Sequence, residues 1–78
     1  MQDIRDSDAR HLLTTLSKRE IQTFDLVVRG LTTKQISFEL GVSPRTTENR
    51  RRRIYEKLNV RNVAGVVRCA AQAGWFKR

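Results

Sequence analysis

The sequence is short of the groups that most chemistry needs. It holds one cysteine, Cys69, and one histidine, His11, in 78 residues. A lone cysteine excludes an internal disulfide, and no CxxC or Cys/His cluster offers zinc a ligand set. His11 has no neighbouring ligand candidate and reads as a surface residue. This cysteine usage fits a reducing cytosol. The four glycines fall at helix ends and in turns, so no glycine-rich loop cradles a phosphate. With no Ser/His/Asp set and no metal cluster, neither an enzyme nor a cofactor is expected. No apolar run reaches the roughly 18 residues of a membrane span, and no signal-peptide pattern opens the sequence, so no membrane partner is expected.

What is abundant is positive charge, unevenly placed. The formal net charge is +8. Residues 1–40 hold six Lys/Arg and six Asp/Glu, whereas residues 41–78 hold ten and two and carry the whole excess. A neutral half joined to a basic half implies a scaffold that presents one surface to an anionic ligand. Nucleic acid fits better than an acidic membrane, because the basic segment lacks the wide apolar face needed to enter a bilayer.

That segment is Ser43–Leu58. Ser43 can cap a helix, Pro44 suits its first position, and nothing breaks it before Asn59. At about 100° per residue, with Glu48 as origin, Thr47, Ile54 and Leu58 fall together near roughly 240–280° as a narrow apolar seam. Arg45, Glu48, Asn49, Arg52 and Glu56 fall opposite, at roughly 0–100°. Arg50 and Arg53 flank one edge, and Arg51 flanks the other beside Tyr55. A solvated charged face is the ordinary alternative. Four consecutive arginines without an acidic partner between them argue instead for an anion. Such a helix suits the major groove of double-stranded DNA, with Arg50, Arg51 and Arg53 placed to reach phosphates on its walls.

The rest of the chain reads as an all-α scaffold for that helix. Residues 1–15 are polar and mixed in charge. They read as a linker or N-terminal lead, with a helical turn near Asp8–Leu13, and residues 16–78 as the domain. Ser17-Lys18-Arg19-Glu20 is a capping box, with Leu16 and Ile21 as a hydrophobic staple. The helix it opens runs to about Arg29 and buries Ile21, Phe24, Val27 and Val28 before Gly30 stops it. Thr32 to Gln35 is a second capping box. It starts a short helix, Thr33 to Leu40, that buries Ile36 and Leu40, with Phe38 partly so. Gly41-Val42-Ser43 then makes a three-residue turn into Pro44, which completes a helix-turn-helix. Asn62 caps a last helix from Val63 to about Ala73. Its small and apolar residues cover more than one face. Val63, Val67 and Ala70 are expected to close the core, and a further face is available to a second copy of the chain. Trp75 and Phe76 are expected to fold back over the core.

At these residues the chain resembles a known family. Leu16-Ser17-Lys18-Arg19-Glu20, Gly30-Leu31-Thr32-Thr33-Lys34-Gln35-Ile36, Leu40-Gly41-Val42-Ser43, Thr46 and Ile54 with Lys57-Leu58 resemble the LuxR-type helix-turn-helix. This is the C-terminal DNA-binding domain of NarL- and FixJ-type response regulators and of quorum-sensing regulators. The resemblance covers about Leu16 to Phe76. It implies a four-helix domain with Thr33–Leu40 as scaffold helix and Pro44–Leu58 as recognition helix. It also implies transcription regulation and a homodimer on a two-fold-related DNA site, paired through the last helix. On that helix Val63, Val66, Cys69, Ala70 and Ala73 are the dimer candidates. A receiver domain preceding the chain, contact with RNA polymerase and a cytoplasmic place on the nucleoid belong to the same expectation. Carried over by position, the base-reading places fall on Glu48, Asn49 and Arg52. The backbone-contacting places fall on Thr33, Lys34, Arg45, Thr46, Arg50 and Lys57. Arg52 could fork onto guanine, Asn49 pair with adenine, and Glu48 accept from cytosine N4.

The chain departs from the family pattern twice. Thr47 stands where valine is usual, which is expected to weaken the core side of the recognition helix slightly. Arg50 stands where histidine is usual. The added arginines imply a large non-specific phosphate component and a steep fall of affinity with salt. Two rivals share parts of this reading. Region 4 of a sigma factor has a similar opening and helix-turn-helix, but little reason to keep a small-residue pairing face. A protein-interaction module reusing the fold would not need ten basic residues in one half.

Overall fold

The computed structural model describes residues 6–76, which form five helices. The first five residues of the expected linker and the final Lys77-Arg78 lie outside the described residues. The helices are α1 (Asp6–Thr14), α2 (Lys18–Val28), α3 (Thr33–Leu40), α4 (Pro44–Leu58) and α5 (Val63–Gln72).

Local rules set most of the boundaries. The Ser17 hydroxyl accepts from the Glu20 N–H at 3.1 Å, and the Glu20 carboxylate accepts from the Ser17 N–H at 2.8 Å. Thr32 and Gln35 repeat the reciprocal pair at 3.2 and 2.8 Å. Each box satisfies two backbone donors that a helix start would otherwise leave open. Ser43 caps α4 and Asn62 caps α5. Gly41 ends α3 in the left-handed region at φ 67°, and Asn59 ends α4 there at φ 56°, which glycine and asparagine tolerate best.

Phe24 of α2, Ile36 of α3, Ile54 and Leu58 of α4 and Val66 of α5 are fully buried. Burial of side chains this size contributes about 1.5–3 kcal/mol apiece. The α4 helix packs against all four others and supplies Thr47, Ile54 and Leu58 to the core, the seam expected from its periodicity. In α2 the fully buried positions are Glu20, Thr23, Phe24 and Val27, with Ile21 and Val28 half-buried at the edges.

Several expectations are corrected. The lead is more than a linker with one turn: α1 is a nine-residue helix that packs on α4 and α5. Ala9, Leu13 and Leu16 are buried there, so tertiary contact stabilises a helix too short to persist alone. The presence of α1 also changes α5, which lies against α1, α2 and α4 and buries more of its circumference. Val66, Cys69 and Ala70 are fully buried in the chain's own core, and Ala73 packs partly against it. These dimer candidates therefore face inward, while Val63 is 40% exposed and Val67 half-buried. Phe38 is 89% exposed, because Ile36 and Ser37 take the inner side of α3. Trp75 folds back as expected, edge-on to Phe24 with ring centroids 5.1 Å apart, and its Nε1 donates to Asp25 Oδ1 at 3.1 Å. Phe76 instead stays 56% exposed.

Thr47 does not leave a gap in the helix-turn-helix. Its Oγ1 lies 2.7 Å from Ser37 Oγ, both side chains being buried. The Ser37 hydroxyl donates to the Thr33 carbonyl at 2.8 Å, so the Thr47 hydroxyl is the donor between the two. The polar substitution is thereby satisfied across the α3–α4 contact.

Candidate nucleic-acid interface

With its seam buried, α4 turns a polar face outward. Arg45, Glu48, Asn49, Arg52 and Arg53 are exposed, and Arg50 and Arg51 are half-buried at the two edges. The fold makes little use of the central groups. Asn49 Oδ1 accepts from Arg52 Nη1 at 3.2 Å, so these two neighbours hold each other while their other donors and acceptors face solvent. Glu48 and Arg45 have no side-chain partner among the described residues. A surface of one carboxylate, one amide and forked guanidinium groups on a helix can read donor and acceptor patterns on base edges.

The flanking candidates separate into two groups. Arg50 and Arg53 are unpaired among the described residues. The Arg51 Nη2, by contrast, donates to the Tyr55 hydroxyl at 3.1 Å, which lays its guanidinium along its own helix. Thr33 and Lys34 start α3, half-buried and exposed respectively. The Thr46 hydroxyl accepts from Ser43 Oγ at 3.0 Å, inside the α4 cap.

Lys57, another backbone-contact candidate, is exposed but already engaged within the fold. Its Nζ lies 2.7 Å from Glu20 Oε1 and donates to the Thr15 carbonyl at 3.2 Å. It ties the last turn of α4 to the start of α2. Glu20 is buried, and a buried carboxylate needs a cation or more hydrogen bonds. Burial alone pushes the Glu20 carboxyl up, but the Lys57 hydrogen bond, the Ser17 N–H and the Lys57 charge outweigh it and hold the group below its ordinary value. The capping box identified Glu20 in the sequence. Its second partner, on another helix, carried no local signal.

One feature of the surface escaped the sequence reading. Between the start of α2 and the edge of α4 lies an open groove of about 320 Å³. Ser17, Arg19 and Glu20 line one side, and Thr46, Asn49, Arg50 and Arg53 the other. The α4 residues are spaced as i, i+3, i+4 and i+7, a signal that could have grouped them. Arg19 was legible only as part of a cap.

Among the described residues no group of three or more His, Cys, Asp or Glu stands together as a metal site. Burial raises the pKa of the Cys69 thiol and keeps it protonated and inert at neutral pH. No helix among the described residues is long and apolar enough to cross a membrane.

Comparison with known proteins agrees with this geometry. Residues 14–70 match the family described as bacterial regulatory proteins, luxR family. The chain is 39% identical over 74 residues to the transcriptional regulatory protein FixJ of Rhizobium meliloti, covering 94% of this chain and 36% of that protein. It is 37% identical over 62 residues to the transcriptional regulatory protein DesR of Bacillus subtilis, covering 80% and 31%. To the transcriptional regulatory protein UhpA of Escherichia coli it is 43% identical over 47 residues, covering 60% and 24%. The chain thus spans about a third of the length of the first two relatives. The all-α fold, the turn between α3 and α4 and these matches agree: the chain belongs to the LuxR family of bacterial regulatory proteins and carries its DNA-binding helix-turn-helix.

Proposed function

We propose that this domain binds duplex DNA sequence-specifically as the effector domain of a two-component response regulator, with α4 in the major groove. The observation that carries the reading is the outer face of α4. Glu48, Asn49 and Arg52 stand exposed at its centre, and Arg45, Arg50 and Arg53 surround them without an acceptor among the described residues. In this reading the central three meet base edges, and the surrounding arginines, with Thr33, Lys34 and Thr46, meet the sugar-phosphate backbone. Arg51 joins them by releasing Tyr55. The FixJ and DesR relatives support the regulator role, and their greater length supports a receiver domain outside the matched part.

The domain pairs with a second copy on a two-fold-related site. Its pairing face is the outward side of α5, where Val63, Ala64, Val67, Arg68 and Ala71 lie at or near the surface. RNA polymerase is the onward partner in the cytoplasm. The test is competition between duplexes that differ at single base pairs. Arg52→Ala should lose about 1–3 kcal/mol on the best site and relax preference at one base pair. Equal loss on every sequence would remove Arg52 from the base readers.

A further inference from the structure

The groove between α2 and α4 is lined by three arginines. Arg19 enters it from α2, and Arg50 and Arg53 enter from α4. None of the three has a carboxylate partner among the described residues. The groove does contain a carboxylate, Glu20, but that group is already engaged by Lys57 at 2.7 Å and by the Ser17 N–H at 2.8 Å. It therefore has little attraction left for the arginines. Arg50 is the telling residue. It is half-buried yet has no acceptor among the described residues, and its guanidinium nitrogens stay open to solvent and so to a ligand. The opening of α2 adds the positive end of a helix on the same side.

We infer that one backbone phosphate of duplex DNA seats in this groove, held jointly by Arg19 of α2 and by Arg50 and Arg53 of α4. The inference rests on the proposed DNA binding and adds α2 to the contact surface. Asn49 lines the groove too, next to Arg52 and Glu48 on the base-reading face. A phosphate fixed there sets the depth and rotation of α4 in the major groove. Arg19 is thus a positioning residue: it touches the backbone and carries no sequence information itself.

The test compares wild type, Arg19→Ala and Lys18→Ala. Lys18 is exposed and adjacent but does not line the groove, so Lys18→Ala removes the same charge at a neutral place. Binding to a fluorescently labelled random-sequence duplex is measured across a salt series. Arg19→Ala should weaken binding roughly five- to tenfold and lower the slope of log affinity against log salt by about one. Lys18→Ala should leave the slope close to wild type. Duplexes with single methylphosphonate linkages give a second readout. The linkage that weakens wild type should have no further effect on Arg19→Ala. An unchanged slope for Arg19→Ala, or an equal change for Lys18→Ala, would overturn the phosphate seat while leaving DNA binding intact. Failure of wild type to bind any duplex at low salt would instead overturn the DNA reading itself, and this inference with it.

Discussion

The hydroxyls of Ser37 and Thr47 sit 2.7 Å apart in the closed angle between the scaffold and recognition helices. Thr47 donates, and Ser37 passes its own proton on to the Thr33 carbonyl. The two substitutions should therefore differ in cost. Thr47→Val leaves Ser37 bonded to Thr33, and should cost no more than about 1 kcal/mol. Ser37→Ala leaves the buried Thr47 hydroxyl without its acceptor, and should cost about 1–3 kcal/mol. The double substitution should recover part of that loss. Urea unfolding of the four proteins measures the coupling, and strict additivity would show that the contact contributes nothing.

The ion pair between Glu20 and Lys57 predicts a pH dependence. Glu20 has a lower pKa in the folded chain than its ordinary value of 4.5, so the unfolded chain takes up the proton first as the pH falls. The contribution is complete above the unfolded value and is lost as the pH drops through the folded one. Glu20→Gln keeps the capping geometry but not the charge. It should destabilise the domain by about 1–3 kcal/mol at neutral pH. Its unfolding midpoint should approach that of wild type as the pH falls below 4.5. A gap that stays constant with pH would separate the ion pair from stability.

A third prediction concerns α1. Leu13 is 9% exposed against the core. Leu13→Ala should cost about 2–5 kcal/mol, as expected for a buried leucine. A flexible lead would show no measurable change. Calorimetric or urea unfolding decides between the two.

The parts of the fold that could be read in advance are those governed by neighbours in the chain. Ser17 with Glu20, Thr32 with Gln35, and Ser43 with Pro44 each mark a helix start within four residues. The seam of Thr47, Ile54 and Leu58 stood out because the rest of α4 is strongly polar. Helix α5 lacked that contrast. Small and apolar residues all round it left the periodicity without a phase, so the inner side fell on Val66, Cys69 and Ala70 rather than on Val63 and Val67. The buried side of α1 depends on Ala9, a residue too small to announce a core position. Gly65 has a packing role that its place at a helix end does not reveal. It sits in the first turn of α5, where an added Cβ would come within 2.7 Å of the Val60 Cβ. The ion pair of Lys57 and the groove position of Arg19 share one reason for carrying no signal in the sequence: each lies across the α2–α4 contact, at a separation no local pattern spans.

In the proposed function the exposed face of α4 reads sequence. This is tested most directly by binding the protein to a pool of randomised duplexes at two salt concentrations and sequencing what is retained. A sequence-reading α4 should give an enriched inverted repeat with half-sites about one helical turn apart, still enriched at the higher salt. Retention without enrichment, lost at the higher salt, would contradict it and leave Arg50 to Arg53 as a phosphate-binding run alone.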